Sequence, residues 1–283
     1  MLKISLLLLF MLFVFLAGCR TLISSCNTFT LATFNLRCPV DKTPHTWEER
    51  KSRCLAIIRK NDFDIFGIQE GYRNQLDDLV ADGRFAFIGN GRNDFKDQGE
   101  FSAILYKKDR FEVLDSGTFG LSEKPGVPGF RSWKSRHPRI ATWGLFRDKK
   151  TGKNFLYYNT HLDNYSEEAR INGIKLLMKH ASEKAAKTPL ILTGDFNARP
   201  ETPTWQTAAA FLKDSSRISR SPHRGPVQTF HSYGRKVYTT PFPIDFIFVS
   251  DAFTVYSHRT DDTRFPEGYA SDHYPVVVTL SIK

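Results

Sequence analysis

The stretch Ser271-Asp272-His273-Tyr274-Pro275-Val276 leads into a Val-rich run, Val276–Ile282, that reads as a terminal strand. Its Asp-His pair is a compact unit for moving protons and binding metal. The strand behind it places the pair at a strand's mouth, where α/β sheets tend to carry their sites. Upstream, further apolar runs meet an acid or amide: Asn35, Glu70, Asp195-Phe196-Asn197 and Asp245. The sequence therefore reads as a fold that gathers scattered polar residues around one metal ion and one phosphate.

Working outward, Thr30–Leu36 is a β-rich run, and Trp47–Lys60 carries Trp47, Cys54, Leu55 and Ile58 at helical spacing. Asp64–Glu70 is a short buried strand closed by a carboxylate, and Asn74–Val80 a short helix. Phe85–Ile88, Phe101–Tyr106, Phe111–Phe119, Ile140–Phe146 and Phe155–Thr160 read as strands. Gly89–Gly99 is a loop, and Pro125–Pro138, with its Gly, Pro and basic residues, is the best substrate-facing loop. Glu167–Lys184 is a helix with Ile171, Ile174, Leu177, Met178 and Ala181 on one face and Ser166 as N-cap. Pro189–Thr193 is a buried strand, Pro203–Phe211 a short helix, and Lys213–Tyr238 mostly loop. Ile244–Ser250 and Val276–Ile282 close the chain as strands. Strands come both as hairpins and separated by helices, which argues for an α/β sandwich of mixed sheets with helices outside.

At 283 residues and 41% hydrophobic, the chain can bury a sizeable core. It contains no low-complexity linker, internal repeat or run of five like charges, so one domain is expected. A formal net charge of +10 suits an anionic, phosphate-bearing partner, although the charge is spread along the chain rather than clustered. The N-terminus stands apart. Lys3 is followed by the apolar run Ile4–Leu16 and then by Leu16-Ala17-Gly18-Cys19, the plan of a secretory signal. The Leu-Ala-Gly-Cys ending resembles a bacterial lipobox, which implies cleavage before Cys19 and lipidation of its thiol. The run falls short of the ~20 apolar residues that a membrane span needs. The remaining cysteines, Cys26, Cys38 and Cys54, form no C-x-x-C pair, so a zinc cluster is not expected.

Taken singly, most of the polar strand ends have ordinary explanations. Asp195 and Asn197 are turn formers. His161 fits a satisfied structural histidine, and Glu70 a solvent-facing strand end. Asp245, inside an apolar strand, is harder to dismiss, because a buried carboxylate needs a partner.

Jointly they are specific. Thr33-Phe34-Asn35-Leu36-Arg37, Ile68-Gln69-Glu70, Asn159-Thr160-His161-Leu162-Asp163, Gly194-Asp195-Phe196-Asn197-Ala198, Ile244–Val249 and Ser271–Val276 resemble, in order, the motifs of the endonuclease/exonuclease/phosphatase superfamily. The resemblance covers the chain from about Thr30 to its end. It implies a four-layer sandwich, two packed mixed β-sheets flanked by α-helices, and phosphoester hydrolysis dependent on Mg²⁺ or Mn²⁺. Glu70 matches the chief metal ligand, with Asn35 and Asp272 supporting the metal directly or through water. Hard oxygen donors of this kind suit Mg²⁺. His273 matches the histidine set against the phosphate, and Asp245 the carboxylate that orients it. His161 matches a second phosphate-facing histidine, with Glu100 as its acidic partner. Asp195 and Asn197 match residues that position the attacking water and bind the phosphate. Either Asp195 or His273 takes the first proton. Arg139 is a further phosphate contact, and Arg131, Lys134 and Arg136 form a basic substrate-binding loop.

Three parts are therefore expected: a lipoprotein signal peptide over residues 1–18, a lipidated tether over 19–28 and an endonuclease/exonuclease/phosphatase domain over 29–283. The position of His161 counts against an apurinic endonuclease, and Pro243-Ile244-Asp245-Phe246 lacks the Cys-Asp-Arg signature of inositol-polyphosphate 5-phosphatases. The expectation is an exported, membrane-anchored, Mg²⁺-dependent phosphodiesterase, monomeric, with nucleic acid or nucleotide marginally favoured as substrate. In a Gram-negative cell the anchor would lie in the outer membrane. The alternatives are a sphingomyelinase-like phospholipid hydrolase or a sugar or inositol phosphate hydrolase, and beyond these a non-catalytic surface binding protein.

Overall fold

A strand covered on both faces is buried along its whole length and mostly apolar, and three runs meet that demand. Every residue of β2 (Ile65–Gln69), β8 (Leu190–Asp195) and β10 (Asp245–Val249) is buried. A computed structural model describes residues 27–283; the signal segment, Cys19 and Cys26 lie outside the described residues. The first sheet also contains β1 (Phe29–Asn35), β3 (Phe85–Ile88), β4 (Ile104–Lys107), β11 (Phe253–Thr260) and β12 (Val276–Ile282). Its order is β11-β12-β1-β2-β4-β3. The second adds β5 (Phe111–Gly120), β6 (Ile140–Asp148), β7 (Asn154–His161) and β9 (Lys213–Asp214). Its order is β5-β6-β7-β8-β10-β9. Each sheet is mixed in the same way: one parallel pair, β1 with β2 and β7 with β8, sits among antiparallel neighbours.

The sheets pack face to face on Phe29, Leu31, Ile65, Phe146, Phe155, Tyr157, Ile191 and Ile247, all buried. The helices α1 (Trp47–Lys60) and α2 (Arg73–Val80) cover the outer face of the first sheet through Trp47, Ile57, Ile58, Leu76 and Leu79. The helices α3 (Glu167–Ala185) and α4 (Pro203–Ala209) cover the second through Ile174, Leu177, Met178, Trp205 and Ala208. The result is the expected four-layer α/β sandwich. Ends of the two long helices are set by local chemistry. Thr46 and Glu49 form a capping box at α1, and Ser166 Oγ caps α3 by accepting from Ala169 N.

Two elements depart from the sequence reading. The strand expected over Phe101–Tyr106 begins at Ile104, because Phe101 instead bridges to Gly71. The strand β11 was not expected: a register shift between Val255 and Ser257 breaks the alternation that would have revealed it. The stretch Lys213–Tyr238 is mostly loop, as expected, apart from β9 and one turn of helix, α5 (Ser215–Ile218). Among the described residues, no helix is long and apolar enough to cross a membrane.

Candidate active site

Strand direction alone brings the polar motifs to one end of the sandwich. Asn35 and Gln69 pair at the ends of parallel β1 and β2, and Glu70 follows. His161 and Asp195 pair at the ends of parallel β7 and β8. The strand β10 runs antiparallel to β8 and sets Asp245 opposite Asp195. The strand β12 runs antiparallel to β1, so Asp272 and His273, just before it, arrive at the same end. Arg50 fixes this edge. Fully buried, it donates to the carbonyls of Leu36, Arg37, His45 and Ala270, tying the β1 exit to the β12 entrance.

Three residues here, Arg37, Glu70 and Asn197, hold left-handed backbone at φ 60°, 58° and 47°. Such conformations persist only where the surroundings impose them. At Glu70, Cys38 N donates to Oε2 at 3.0 Å and Asn35 Nδ2 to Oε1 at 3.3 Å. At Asn197, its own N–H donates to Asp195 Oδ1 at 2.9 Å.

The two histidines differ in state. His273 Nδ1 lies 2.9 Å from Asp245 Oδ2, and its Nε2 is 3.8 Å from Asp195 Oδ2. Burial opposes a charge on His273, but Asp245 and then Asp195 and Asp272 overcome it and push the imidazolium up to about 10. His161 goes the other way. Burial, then the charges of Arg139 and Arg92, hold it well below the ordinary range, so it is neutral. Asn197 Nδ2 donates to His161 Nε2 at 3.0 Å, which leaves the ring proton on Nδ1. That Nδ1 has no hydrogen-bond partner; Glu100 Oε2 stands 3.9 Å away and is itself held by Arg92 Nη1 at 2.7 Å. Glu100 and His161 are therefore neighbours without the close pairing that His273 and Asp245 have.

Asp195 sits between the halves, 3.6 Å from His161 Nε2 and within reach of His273. Burial and the charge of Asp245 push its carboxyl up to about 7. On the other side lie Glu70 and Asp272. Burial would raise Glu70, yet the Cys38 N–H and Arg37 hold it below the usual carboxylate range. Asp272 is raised by burial, with Glu70's like charge adding to it. The Arg37 guanidinium offsets part of this negative charge: Nη1 is 3.7 Å from Glu70 and Nε 3.9 Å from Asp272.

Two groups could hold a metal. The liganding atoms of Asp195, Asp245 and His273 lie within 4.8 Å of one another. The short Nδ1–Asp245 contact already places a proton between two of them, which marks a proton-handling group. Glu70, partly buried, and Asp272, buried, present oxygen donors with surplus negative charge, the environment that suits a hard divalent cation. Asn35 turns its Nδ2 toward Glu70 and Asp195, while its Oδ1 accepts from Arg37 N at 2.9 Å. It supports these carboxylates rather than offering its oxygen to the space between them.

The remaining sequence candidates separate. Arg139 is buried beside this centre, its Nε 3.5 Å from Asp163 and its Nη2 3.4 Å from Asn164 Oδ1. Arg131 and Lys134 line a hollow of about 520 Å³ with Glu123, Phe130 and Trp133, and none of the candidate catalytic residues lines it. Lys134 pairs with Glu168, and Arg131 Nη1 donates to the Arg136 carbonyl. Residues that sequence reasoning did not single out are Arg37, Arg50, Arg92 and Asp163. Arg37 and Asp163 carry the weak signal of lying inside quoted motifs, whereas Arg50, inside a helix, and Arg92, inside a loop, carry none.

The profile of the Endonuclease/Exonuclease/phosphatase family matches residues 32–273. A family protein from Bacteroides vulgatus is 36% identical, with 90% of this chain and 99% of that one aligned at a TM-score of 0.85. The Bacteroides thetaiotaomicron mannosyl-6-phosphatase is 34% identical, with 90% and 100% aligned at a TM-score of 0.81. Protein angel of Drosophila melanogaster is 27% identical over 172 residues, 56% of this chain and less than half, 46%, of that protein. The chain belongs to the endonuclease/exonuclease/phosphatase family of phosphoric ester hydrolases.

Proposed function

We propose that the protein is an exported, membrane-anchored phosphoesterase that uses Mg²⁺ and acts on the phosphate of a small hydroxylated molecule such as a sugar. The observation that carries the hydrolytic reading is the position of Asp195 between a charged His273 and a neutral His161, beside Glu70 and Asp272. The sugar phosphate reading draws on the likeness to the mannosyl-6-phosphatase over nearly the whole chain. Export and anchoring rest on the sequence of residues 1–18 and on Cys19.

Glu70 and Asp272 would hold the ion, with Asn35 fixing Glu70. Bound there, Mg²⁺ supplies positive charge to the phosphate oxygens and a template for in-line attack. Asp195, with a carboxyl near neutrality, accepts the proton of the attacking water. His273, already charged and locked by Asp245, donates to the phosphate and stabilises charge as it develops. Asp195 is therefore proposed as the base rather than His273, because an imidazolium has no lone pair to take a proton. His161 and Asn197 fix the opposite face of the same phosphate.

Nucleic acid remains the second reading, favoured by the net charge of +10 and by the Arg199–Phe242 pair, two residues beyond Asn197 and three before Asp245. The loop cations that first suggested it are less available, since Lys134 and Arg131 are engaged on the protein itself. The test is hydrolysis of sugar phosphates, inositol phosphates, sphingomyelin, DNA and RNA with and without Mg²⁺, beside His273→Ala. Metal-dependent turnover of a sugar phosphate that disappears in the variant is the expected result. Turnover of RNA or DNA alone moves the second reading to the front, and no turnover with any ester removes the hydrolytic reading.

A further inference from the structure

Two guanidinium groups stand on the Glu100 side of the reaction centre with more donors than acceptors. Arg92 and Arg139 are only 9% and 6% exposed. Arg92 Nη1 donates to Glu100 Oε2, yet its Nε is buried without a hydrogen-bond partner. Arg139 Nε is in the same condition: Asp163 Oδ2 is at ion-pair distance but without hydrogen-bond geometry. Asp163 has little left to give. Its Oδ2 accepts from Arg136 N at 3.0 Å, and its Oδ1 from Tyr165 N and Ser166 N at 3.0 and 2.8 Å. A buried charged donor left unpaired is costly, so a fold that keeps two of them near the same centre is suited to receive an anion.

Backbone contacts fix both groups. Arg92 N donates to the Glu100 carbonyl, and the Arg92 carbonyl accepts from Gly129 N, each at 3.0 Å. The Arg139 carbonyl accepts from Leu121 N at 2.7 Å, at the entrance to β6. Burial first, and then Arg92 among its neighbours, lowers Arg139, and both cations depress His161. The two guanidiniums are therefore within electrostatic reach of each other and of the ring that faces the phosphate.

We propose that Arg92 and Arg139 form a clamp for the terminal oxygens of a phosphate monoester, which makes the enzyme prefer a monoester to a diester. The inference rests on the phosphoesterase reading above and narrows its substrate class. A monoester near neutral pH carries close to two negative charges on three strong acceptor oxygens. A diester offers one charge on two non-bridging oxygens, and its second alcohol must occupy the space beside them. Guanidinium forks match terminal phosphate oxygens in geometry, and Lys does not reproduce that match.

The experiment uses the full chain in detergent with Mg²⁺. Turnover of p-nitrophenyl phosphate and bis(p-nitrophenyl) phosphate is compared, and inorganic phosphate binding is followed by calorimetry. The variants are Arg92→Lys and Arg139→Lys, which keep a charge for Glu100 and Asp163 but lose the fork; circular dichroism checks their folding. Wild type should favour the monoester in kcat/KM by about tenfold or more, the size of one strong charge-assisted contact. Each variant should lower the monoester value and phosphate affinity by about tenfold while changing the diester value less than about threefold. A wild-type preference for the diester, equal losses on both esters, or unchanged phosphate affinity overturns the clamp; if the variants do not fold, the wild-type preference alone decides. Phosphate affinity that weakens in the variants of a protein hydrolysing neither ester would sustain the clamp and remove the hydrolytic reading instead.

Discussion

Asn35, at the end of β1, donates through Nδ2 to Asp195 Oδ2, at the end of β8, over 3.0 Å and from one sheet to the other. The same amide nitrogen reaches Glu70 Oε1 at 3.3 Å. One side chain thus holds the carboxylate proposed as base against the carboxylate proposed as metal ligand. Deeper in, the sheets meet through apolar contacts and one buried polar layer around Asn159, neither of which touches these two carboxylates.

Asn35→Ala removes this clasp and leaves two buried carboxylates to repel each other. Loss of a charge-assisted bond to a buried group costs about 1–3 kcal/mol. Turnover is expected to fall by about a hundredfold, because misplaced catalytic groups cost that much, and the melting midpoint by a few degrees. Asn35→Asp, which adds a third negative charge, should be worse in both respects. An alanine variant with near wild-type turnover would show that Asn35 does not align the two carboxylates.

The pH dependence follows from the states of Asp195 and His273. The Asp195 carboxyl, raised to about 7 by burial and by Asp245, is protonated below that pH and cannot accept a proton there. Activity should therefore rise with pH through about 7, with no second limb from His273 until about 10, where its imidazolium begins to discharge. An unperturbed histidine would instead give an acid limb at about pH 6.5. The structure reassigns the acid limb to a carboxylate, since His161 stays neutral and His273 stays charged through that range. Asp245→Asn removes the charge that raises Asp195, so the acid limb should move to lower pH in kcat/KM profiles. A limb that stays in place would mean that another group titrates.

The order of strand and helix and the set of polar strand ends were legible because each motif couples an apolar run to a functional residue. Ile68-Gln69-Glu70 and Gly194-Asp195-Phe196-Asn197 announce both a buried strand and the group at its mouth. What the sequence hides is pairing. His161 was matched with Glu100, yet Glu100 is held by Arg92, eight residues away along a loop whose path no periodicity encodes. Arg50 was hidden for a related reason: its role depends on backbone carbonyls brought close only by the tertiary fold, such as Ala270 O. Arg37 likewise meets Glu70 and Asp272 only in the folded chain. The strand β11 was lost to a bulge that shifts its alternation in mid-course.

Arg37 makes a prediction about the metal that does not depend on turnover. Its guanidinium is clamped by Asp41, through Nε at 2.8 Å and Nη2 at 2.7 Å, and Asp41 accepts from Tyr233 Oη at 3.0 Å. The cation is thereby fixed beside Glu70 and Asp272, where it competes with a divalent ion for the same negative charge. Partly exposed pairs of this kind are worth about 0.2–1 kcal/mol. Arg37→Ala should accordingly tighten Mn²⁺ or Mg²⁺ binding by about two- to fivefold in a calorimetric titration. Weaker binding in the variant would show that Arg37 instead shapes the site for the ion.

Beneath the candidate catalytic residues lies a polar layer between the sheets, and its failure should reach the site above. Asn159, fully buried in β7, donates through Nδ2 to the carbonyls of Ile68 and Ala103 at 2.7 and 3.0 Å. Its Oδ1 accepts from Gln69 Nε2 at 2.8 Å and Thr193 Oγ1 at 2.9 Å. Gly67 lacks a side chain because this network occupies the space: a Cβ there would lie 2.4 Å from Asn159 Oδ1. Asn159→Ala removes four buried hydrogen bonds at about 1 kcal/mol each, although Ala103 O keeps Ile68 N, Gln69 Nε2 keeps Thr33 Oγ1 and Thr193 Oγ1 keeps Tyr157 Oη. The expected loss is at least about 3 kcal/mol in urea-induced unfolding. Turnover should fall as well, because Gln69 directly precedes Glu70 and Asn159 lies two residues before His161. Asn159→Asp keeps the acceptor toward Gln69 and Thr193 but gives up both donors and buries a charge, so it should be no more stable than alanine. If Asn159→Ala unfolds at the wild-type urea concentration, the layer is a passive filler rather than the support of the site.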